Sequence, residues 1–190
     1  MDHDGTRDRA ADGILDAAED LFYGQGIQAV GMDAVRAASG VTLRRLYQLF
    51  PSKGDLVEAY LLRRDERWRA DLAAYVDEAA VEPREQLLAV FDWLAIWFAQ
   101  PAFRGCAFVN AFGELGASSL AVASAARHHK AEFAAYLARL TTAAGAPPAT
   151  AVHLALLAEG AITTAAIRGD STPAAEAKEA ARVLLAPTAV

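Results

Sequence analysis

The sequence lacks the features that stabilise secreted or metal-dependent proteins. It contains one cysteine, Cys106, which excludes an internal disulfide framework, and this cysteine with four scattered histidines gives no cluster of metal ligands. The first twenty residues are acidic and polar and have no apolar signal-peptide core. The most apolar stretch, residues 87–99, contains Asp92 and is too short to span a membrane. We therefore expect a cytoplasmic protein with no metal, no cofactor and no membrane partner.

Catalytic patterns are also missing. The sequence has no G-x-S-x-G elbow, no phosphate-cradling glycine loop and no close pair of acids with a base. His128 and His129 are adjacent, so on a helix they point in different directions and make a poor metal pair. These absences disfavour an enzyme.

Periodicity and chain breaks predict an all-α protein. No long run alternates apolar and polar residues, and glycines and prolines fall where helices would end. Ser52, with Asp55 three residues on, is a plausible N-cap for a long helix that continues through Tyr75. Residues 87–99 are apolar nearly all round, which predicts a central buried helix. In all we expect about nine helices, near residues 8–24, 32–38, 43–49, 53–75, 84–100, 103–116, 118–144, 149–168 and 174–186.

One segment has a charge opposite to that of the whole chain. The net charge is -6, yet no acid lies between Ala34 and Gly54, where Arg36, Arg44, Arg45 and Lys53 supply four positive charges. Two short helices joined by the sequence ASGV have the form of a helix-turn-helix, in which the second helix enters the major groove of DNA. We predict a helix-turn-helix DNA-binding domain over residues 1–55 and a larger helical domain over residues 56–190.

The second helix of this motif divides by periodicity. Val41, Leu46 and Phe50 are spaced to pack inward. Arg44 and Arg45 either read guanine edges or bind phosphates. Leu43 can contact a thymine methyl group. Tyr47 and Lys53 suit contacts with phosphates. The alternative is a three-helix bundle with a basic face and no DNA contact. The predicted DNA-binding residues are Arg36, Thr42, Leu43, Arg44, Arg45, Tyr47, Gln48 and Lys53.

The segment ILDAAEDLFYGQGIQAVGMDAVRAASGVTLRRLYQLFPSKGDL resembles the DNA-binding half of a TetR-family transcriptional regulator. The resemblance covers roughly residues 12–60 and includes the AASGV turn and the FPSKGDL end, while residues 104–115 resemble a ligand-domain helix of some subgroups. It implies a homodimer that binds double-stranded operator DNA and is released when a small molecule enters the C-terminal domain. Val30 and Gly31 stand where the family often has a hydroxyl residue, and Arg44 and Arg45 stand where many members have a small residue and Thr.

Large side chains concentrate between residues 68 and 136, where they build a core or line an apolar cavity. Cys106 beside Arg104 is either a thiol that senses oxidants or a small core residue. Glu159 would need a partner if buried, either an arginine across a subunit interface or a ligand. By resemblance, the predicted effector-binding residues are Trp68, Trp93, Trp97, Cys106, Asn110, Glu114 and His128.

The last two predicted helices are rich in small residues and suit half of an intersubunit four-helix bundle, as the resemblance implies. The charged run at residues 61–72 is interpreted as a solvated face. The combined hypothesis is a ligand-responsive DNA-binding regulator, a repressor released from a palindromic operator by a small apolar or aromatic effector. The alternative is a helical small-molecule sensor or carrier that does not bind DNA.

Overall fold

A computed structural model describes residues 3–186, and within that range every regular element is a helix, as predicted. Several ends lie at the predicted breaks because glycine or proline stops or starts the helix there. The helices are α1 (His3–Gln25), α2 (Met32–Ser39), α3 (Leu43–Leu49), α4 (Lys53–Ala79), α5 (Pro83–Phe98), α6 (Ala107–Leu115), α7 (Leu120–Ala143), α8 (Pro148–Arg168) and α9 (Thr172–Leu185).

The predicted start of the sixth helix at residue 103 is wrong. The Phe103 N–H donates to the Gln100 carbonyl at 2.9 Å, which closes a turn over residues 100–103, and residues 103–106 are not helical. Gly105 follows with φ of 82°, in the left-handed region that ends helical continuity and favours glycine. Helix α6 therefore begins only at Ala107.

The chain forms two compact units, and neither is a single continuous segment. The first comprises Met1–Asp65 and Ala107–Ala126, and the second comprises Glu66–Cys106 and Arg127–Val190. The divisions fall within α4 and α7 and at the start of α6. The functional division after residue 55 remains a prediction, since compactness alone does not define which residues bind DNA.

The first unit is built on the apolar face of α1. Ile14, Ala18 and Phe22 are buried at the spacing of one helical face. Val35 of α2 and Leu46 of α3 are fully buried in the same unit. This core holds the two short helices of the predicted DNA-binding motif in place.

The second unit is organised around α5. Half of its 16 residues are buried, which confirms the prediction of a central buried helix. It packs against α8 and α9, and α8 packs against α9. The Lys178 Nζ atom of α9 lies 2.6 Å from both carboxylate oxygens of Asp92, the one acid within the apolar stretch of α5.

Helix α8 is long and apolar enough to cross a membrane by composition, with a mean hydropathy of 1.5 over its best window. Within the second unit it packs against α5 and α9. Only 39% of that window is buried, however, so much of the helix surface is uncovered. Val152 and Leu156 are exposed there, and Val183 of α9 is exposed as well.

Candidate nucleic-acid interface and effector cavity

The geometry between α2 and α3 is that of a helix-turn-helix. Gly40 adopts the left-handed conformation, with φ of 70°, and its N–H donates to the Arg36 carbonyl at 3.1 Å, which ends α2. Thr42 is the N-cap of α3, and its Oγ1 atom accepts from the Arg45 N–H at 3.2 Å. Gly31, the N-cap of α2, supplies no side-chain bond, as expected from the missing hydroxyl.

Burial divides α3 into two faces. Leu46 and Phe50 are buried, as predicted, while Val41 is only half-buried. Leu43 and Tyr47 are 44% and 45% exposed, which is unusual for large apolar side chains in a core helix. Arg44, Gln48 and Thr42 are also exposed, and Arg45 is half-buried.

The positive charges around α3 differ in their pairing. The Arg36 Nε atom lies 3.5 Å from the Asp33 carboxylate, so part of its charge is neutralised. Arg44 is exposed and has no carboxylate partner among the described residues. Lys53 is half-buried at the start of α4. Arg44 is consequently the most accessible cation of the motif.

The start of α4 confirms the predicted cap. The Ser52 hydroxyl accepts from the Asp55 N–H at 3.1 Å and donates to the Asp55 carboxylate at 2.7 Å. This reciprocal pair fixes the first turn of α4 directly after α3.

Glu114 has a structural role in the first unit that the sequence did not reveal. Its carboxylate accepts from the backbone N–H groups of Ile27 and Gln28 at 3.0 and 2.7 Å, and the Gln28 Nε2 atom donates to the Glu114 carbonyl at 2.6 Å. These bonds hold the turn between α1 and α2. Asn110 and Glu114 both line a cavity of about 150 Å³ in this unit.

Part of the charged run on α4 is not a solvated face, contrary to the prediction. The side chains of Arg63 and Arg64 are only 12% and 13% exposed and pair with acids of α1. Arg63 lies 2.9 Å from the Asp16 carboxylate, and Glu19 receives bonds from both arginines. Asp65 is buried. The run therefore holds α4 against α1.

Three predicted effector-binding residues, Trp68, Trp93 and Trp97, lie together in the second unit. The Trp68 ring contacts Trp93 and Trp97 edge-on, with centroids 5.0 and 5.7 Å apart. The histidine of this cluster is His129, with its centroid 5.0 Å from Trp68, whereas His128 is exposed. Phe133 completes the cluster at 5.3 Å. One residue along a helix turns the side chain by about 100°, which explains why only one histidine of the pair faces inward.

A cavity of about 350 Å³ adjoins this cluster between α4 and α7 in the second unit. Its walls combine aromatic side chains with a charged rim, in which an Arg69 nitrogen lies 3.6 Å from the Glu132 carboxylate. Trp68 is the one predicted effector residue on its wall. The lining residues are Glu66, Trp68, Arg69, Ala70, Leu72, Ala73, Glu132, Phe133, Tyr136 and Arg139.

Cys106 belongs to a buried polar contact in the second unit. The Lys130 Nζ atom lies 3.2 Å from Cys106 Sγ and 2.7 Å from both carboxylate oxygens of Glu159. Within the chain, the partner of Glu159 is thus the lysine Lys130, and an arginine across an interface stays a prediction. Among the side chains that the structure describes, those of residues 9–186, no group of three or more His, Cys, Asp or Glu is arranged to hold a metal.

Sequence comparison assigns the first unit. The model of the family described as "Bacterial regulatory proteins, tetR family" matches residues 14–60, which contain α2, α3 and about half of α1. An uncharacterised HTH-type transcriptional regulator of Mycobacterium tuberculosis is 38% identical over 79 residues, or 42% of this chain. That match spans 39% of the relative's own length.

Structural comparison covers nearly the whole chain. A TetR-family transcriptional regulator from Streptomyces coelicolor superposes with a TM-score of 0.83 and 28% identity, covering 93% of this chain and 94% of that one. NemR of Escherichia coli in its reduced form has the same fold, with a TM-score of 0.83, 21% identity and coverage of 95% and 100%. Residues 14–60 therefore match the DNA-binding segment of the TetR family, and the chain as a whole has the fold of TetR-family regulators.

Proposed function

We propose that this protein is a cytoplasmic, ligand-responsive DNA-binding transcriptional regulator, a repressor released from a palindromic operator by a small apolar or aromatic effector. Family members are transcription factors and not enzymes. The observation that carries the proposal is the exposed face of α3, where Arg44, Tyr47 and Gln48 project from a helix whose opposite face is buried. A basic surface without acids is what phosphate neutralisation requires.

The N-terminal turn of α3 is the part that reads bases in this arrangement. Arg44 has the reach and the forked donors to bond guanine O6 and N7, and the exposed Leu43 suits a thymine methyl group. Thr42 still has its hydroxyl proton to donate to a phosphate, because its oxygen is the acceptor in the cap. Tyr47 and Lys53 take phosphate roles, and Arg45 and Gln48 complete the interface.

The uncovered faces of α8 and α9 support a homodimer. Leu156 is 66% exposed and Val183 is 76% exposed, which is costly for a monomer in water. The two helices of each subunit would form half of a four-helix bundle. Two recognition helices related by a two-fold axis would then read palindromic half-sites one helical turn apart. The apolar groove on this face is lined by His153, Leu156, Leu157, Ala180, Val183 and Leu184.

Helix α4 supports the proposed effector response. It is one helix that begins at Lys53, four residues after α3, and contains Trp68 and Leu72. An effector bound against its C-terminal half would shift the helix and change the separation of the recognition helices. A coupling free energy of about 1–3 kcal/mol would lower operator affinity roughly 5- to 150-fold.

Selection of bound duplexes from a random pool tests the proposal directly. We expect the full-length protein to enrich a palindromic sequence. Substitution Arg44→Ala should then weaken binding to that duplex and relax its base preference at one position per half-site by about 1–3 kcal/mol. The matched control is Arg127→Ala, which removes an exposed arginine outside the helix-turn-helix.

The results of these experiments distinguish base reading by Arg44 from phosphate binding, and a DNA-binding regulator from a sensor or carrier. An Arg44→Ala protein with lower affinity but unchanged base preference would assign Arg44 to phosphate only. Failure to enrich any duplex at moderate salt would contradict DNA binding and favour a small-molecule sensor or carrier. Screening compounds for release of the selected duplex then identifies the effector.

A further inference from the structure

We propose that the groove between α4 and α7 in the second unit binds a small planar aromatic molecule through a hydrogen-bond-accepting oxygen on that molecule. This inference rests on the proposed function, because it names the chemical class of effector that the regulator would recognise. The groove is formed by two segments of the second unit, residues 66–73 of α4 and residues 132–139 of α7.

The size and walls of the groove suit an aromatic ring. Its volume of about 350 Å³ lies at the lower end of the range for small-molecule sites. Trp68, Phe133 and Leu72 supply a large apolar wall, and the small side chains of Ala70 and Ala73 leave room beside it. The Trp68 indole is held by edge-on contacts with its neighbours, so little ordering is needed when a ligand binds.

Two residues of the lining, Trp68 and Tyr136, carry hydrogen-bond donors that have no partner among the described residues. The Trp68 Nε1 and Tyr136 hydroxyl atoms are buried and have no hydrogen-bond partner within the described part of the chain. Trp68 as a whole is only 8% exposed. Buried polar atoms in folded proteins are almost always paired. An indole N–H can only donate, so its partner must be an acceptor.

The phenol of Tyr136 also serves as a donor near neutral pH. Burial, helped by the negative charge of Asp77, raises its pKa to about 12, although Arg139 acts in the opposite direction. Both donors therefore favour an oxygen of the ligand, either a neutral carbonyl or a carboxylate. A site built to bond a ligand oxygen discriminates strongly against analogues that lack it.

The charged residues of the rim do not select between these two oxygens. Arg69 pairs with Glu132, and the Arg139 guanidinium carbon lies 5.4 Å from the centroid of the Tyr136 ring. Glu66 adds one negative charge to the lining. The two positive and two negative side chains balance, so hydrogen bonding and not net charge should determine which compounds bind.

The test uses three probes of one ring system with the full-length protein: naphthalene, 2-acetylnaphthalene and 2-naphthoate. Isothermal titration calorimetry should show that at least one oxygen-bearing probe binds about tenfold more tightly than naphthalene. Tyr136→Phe should reduce that preference about 3- to 10-fold and leave naphthalene binding unchanged. Tyr75→Phe is the matched control, because Tyr75 is a half-buried tyrosine of α4 that does not line the groove.

Trp68→Phe is a second, independent variant that removes the other donor. It replaces Tyr136→Phe in the test if circular dichroism shows that Tyr136→Phe is unfolded. The relative affinities of the ketone and the carboxylate show which oxygen the site prefers. Equal binding of all three probes, no binding, or an equal loss of all three in the variants would overturn the inference.

The operator assay keeps this inference separate from the proposed function. A protein that selects a duplex but shows no preference for the oxygen-bearing probes refutes the groove assignment and leaves DNA binding intact. A protein that shows the probe preference, lost in Tyr136→Phe, but selects no duplex supports the groove and refutes the regulator.

Discussion

Replacing Glu114 with glutamine should loosen the turn between α1 and α2 while leaving the helices folded. The carboxylate of Glu114 accepts from two backbone N–H groups, those of Ile27 and Gln28, at 3.0 and 2.7 Å. Glutamine has the same shape but only one acceptor oxygen, and its NH2 group would face one of the two donors. One backbone N–H therefore loses its partner.

The size of this effect follows from the bond that is lost. A hydrogen bond to a charged group contributes about 1.5–3 kcal/mol, and Ile27 is only 3% exposed, so water replaces the carboxylate poorly at that residue. A loss of about 2 kcal/mol corresponds to roughly 30-fold more frequent opening of the turn, at 1.4 kcal/mol per factor of ten.

Native-state hydrogen exchange measures this opening directly. We expect the Ile27 and Gln28 amides to exchange about 30-fold faster in Glu114→Gln than in the unmodified protein, with α5 unchanged. Glu82→Gln is the matched control, since Glu82 is exposed and makes no side-chain cap bond. Unchanged protection of the two amides would refute the role of Glu114 as a clamp. Equal acceleration throughout the chain would show global destabilisation instead.

Two further predictions concern the second unit. Leu156→Glu should convert a dimer into a monomer in analytical ultracentrifugation, because it places a charge in the exposed apolar face of α8, whereas Leu120→Glu, at an exposed leucine of α7, should leave the dimer intact. A dimeric Leu156→Glu protein would contradict the proposed interface. Folding raises the pKa of Tyr136 from its ordinary value of 10 to about 12, so the contribution of the neutral phenol to stability is complete below pH 10 and is lost between pH 10 and 12. Tyr136→Phe should therefore reduce the alkaline loss of unfolding free energy by about 1–2 kcal/mol, as measured by urea denaturation at pH 9.5 and 11.5, and an identical loss in both proteins would contradict the pKa shift.

Local sequence patterns predicted the helices well because helix starts, ends and buried faces depend mainly on neighbouring residues. Helix α3 spans the predicted residues 43–49, since Thr42 caps its start and Phe50 adopts an extended conformation at its end. The Ser52 cap and the buried α5 follow in the same way from neighbouring residues. The start of α6 was missed because Gly105 was not interpreted as a helix break, although it adopts a positive φ of 82° directly before the helix.

Contacts between residues that are distant in the sequence could not be predicted from a single sequence. Glu114 bonds backbone groups 86 and 87 residues away, and no periodic pattern encodes that pairing. The arginines at positions 63 and 64 resemble a solvated run until α1 is placed beside them. Lys130 and Glu159 meet in the same way, from α7 and α8. Each of these pairs depends on which faces of the helices meet in the folded unit.

The acidity of the chain does not oppose DNA binding at α3, because several acids of the first unit are already engaged. Asp16 and Glu19 pair with arginines of α4, and Asp33 pairs with Arg36. Charge that is neutralised within the unit contributes little to the field at the recognition helix, and exposed charges beyond about 10 Å are screened at 0.1 M salt. Arg44 has no such partner among the described residues, so its full charge is available to DNA. Arg44 should therefore contribute more to operator affinity than Arg36, although both lie in the same acid-free segment.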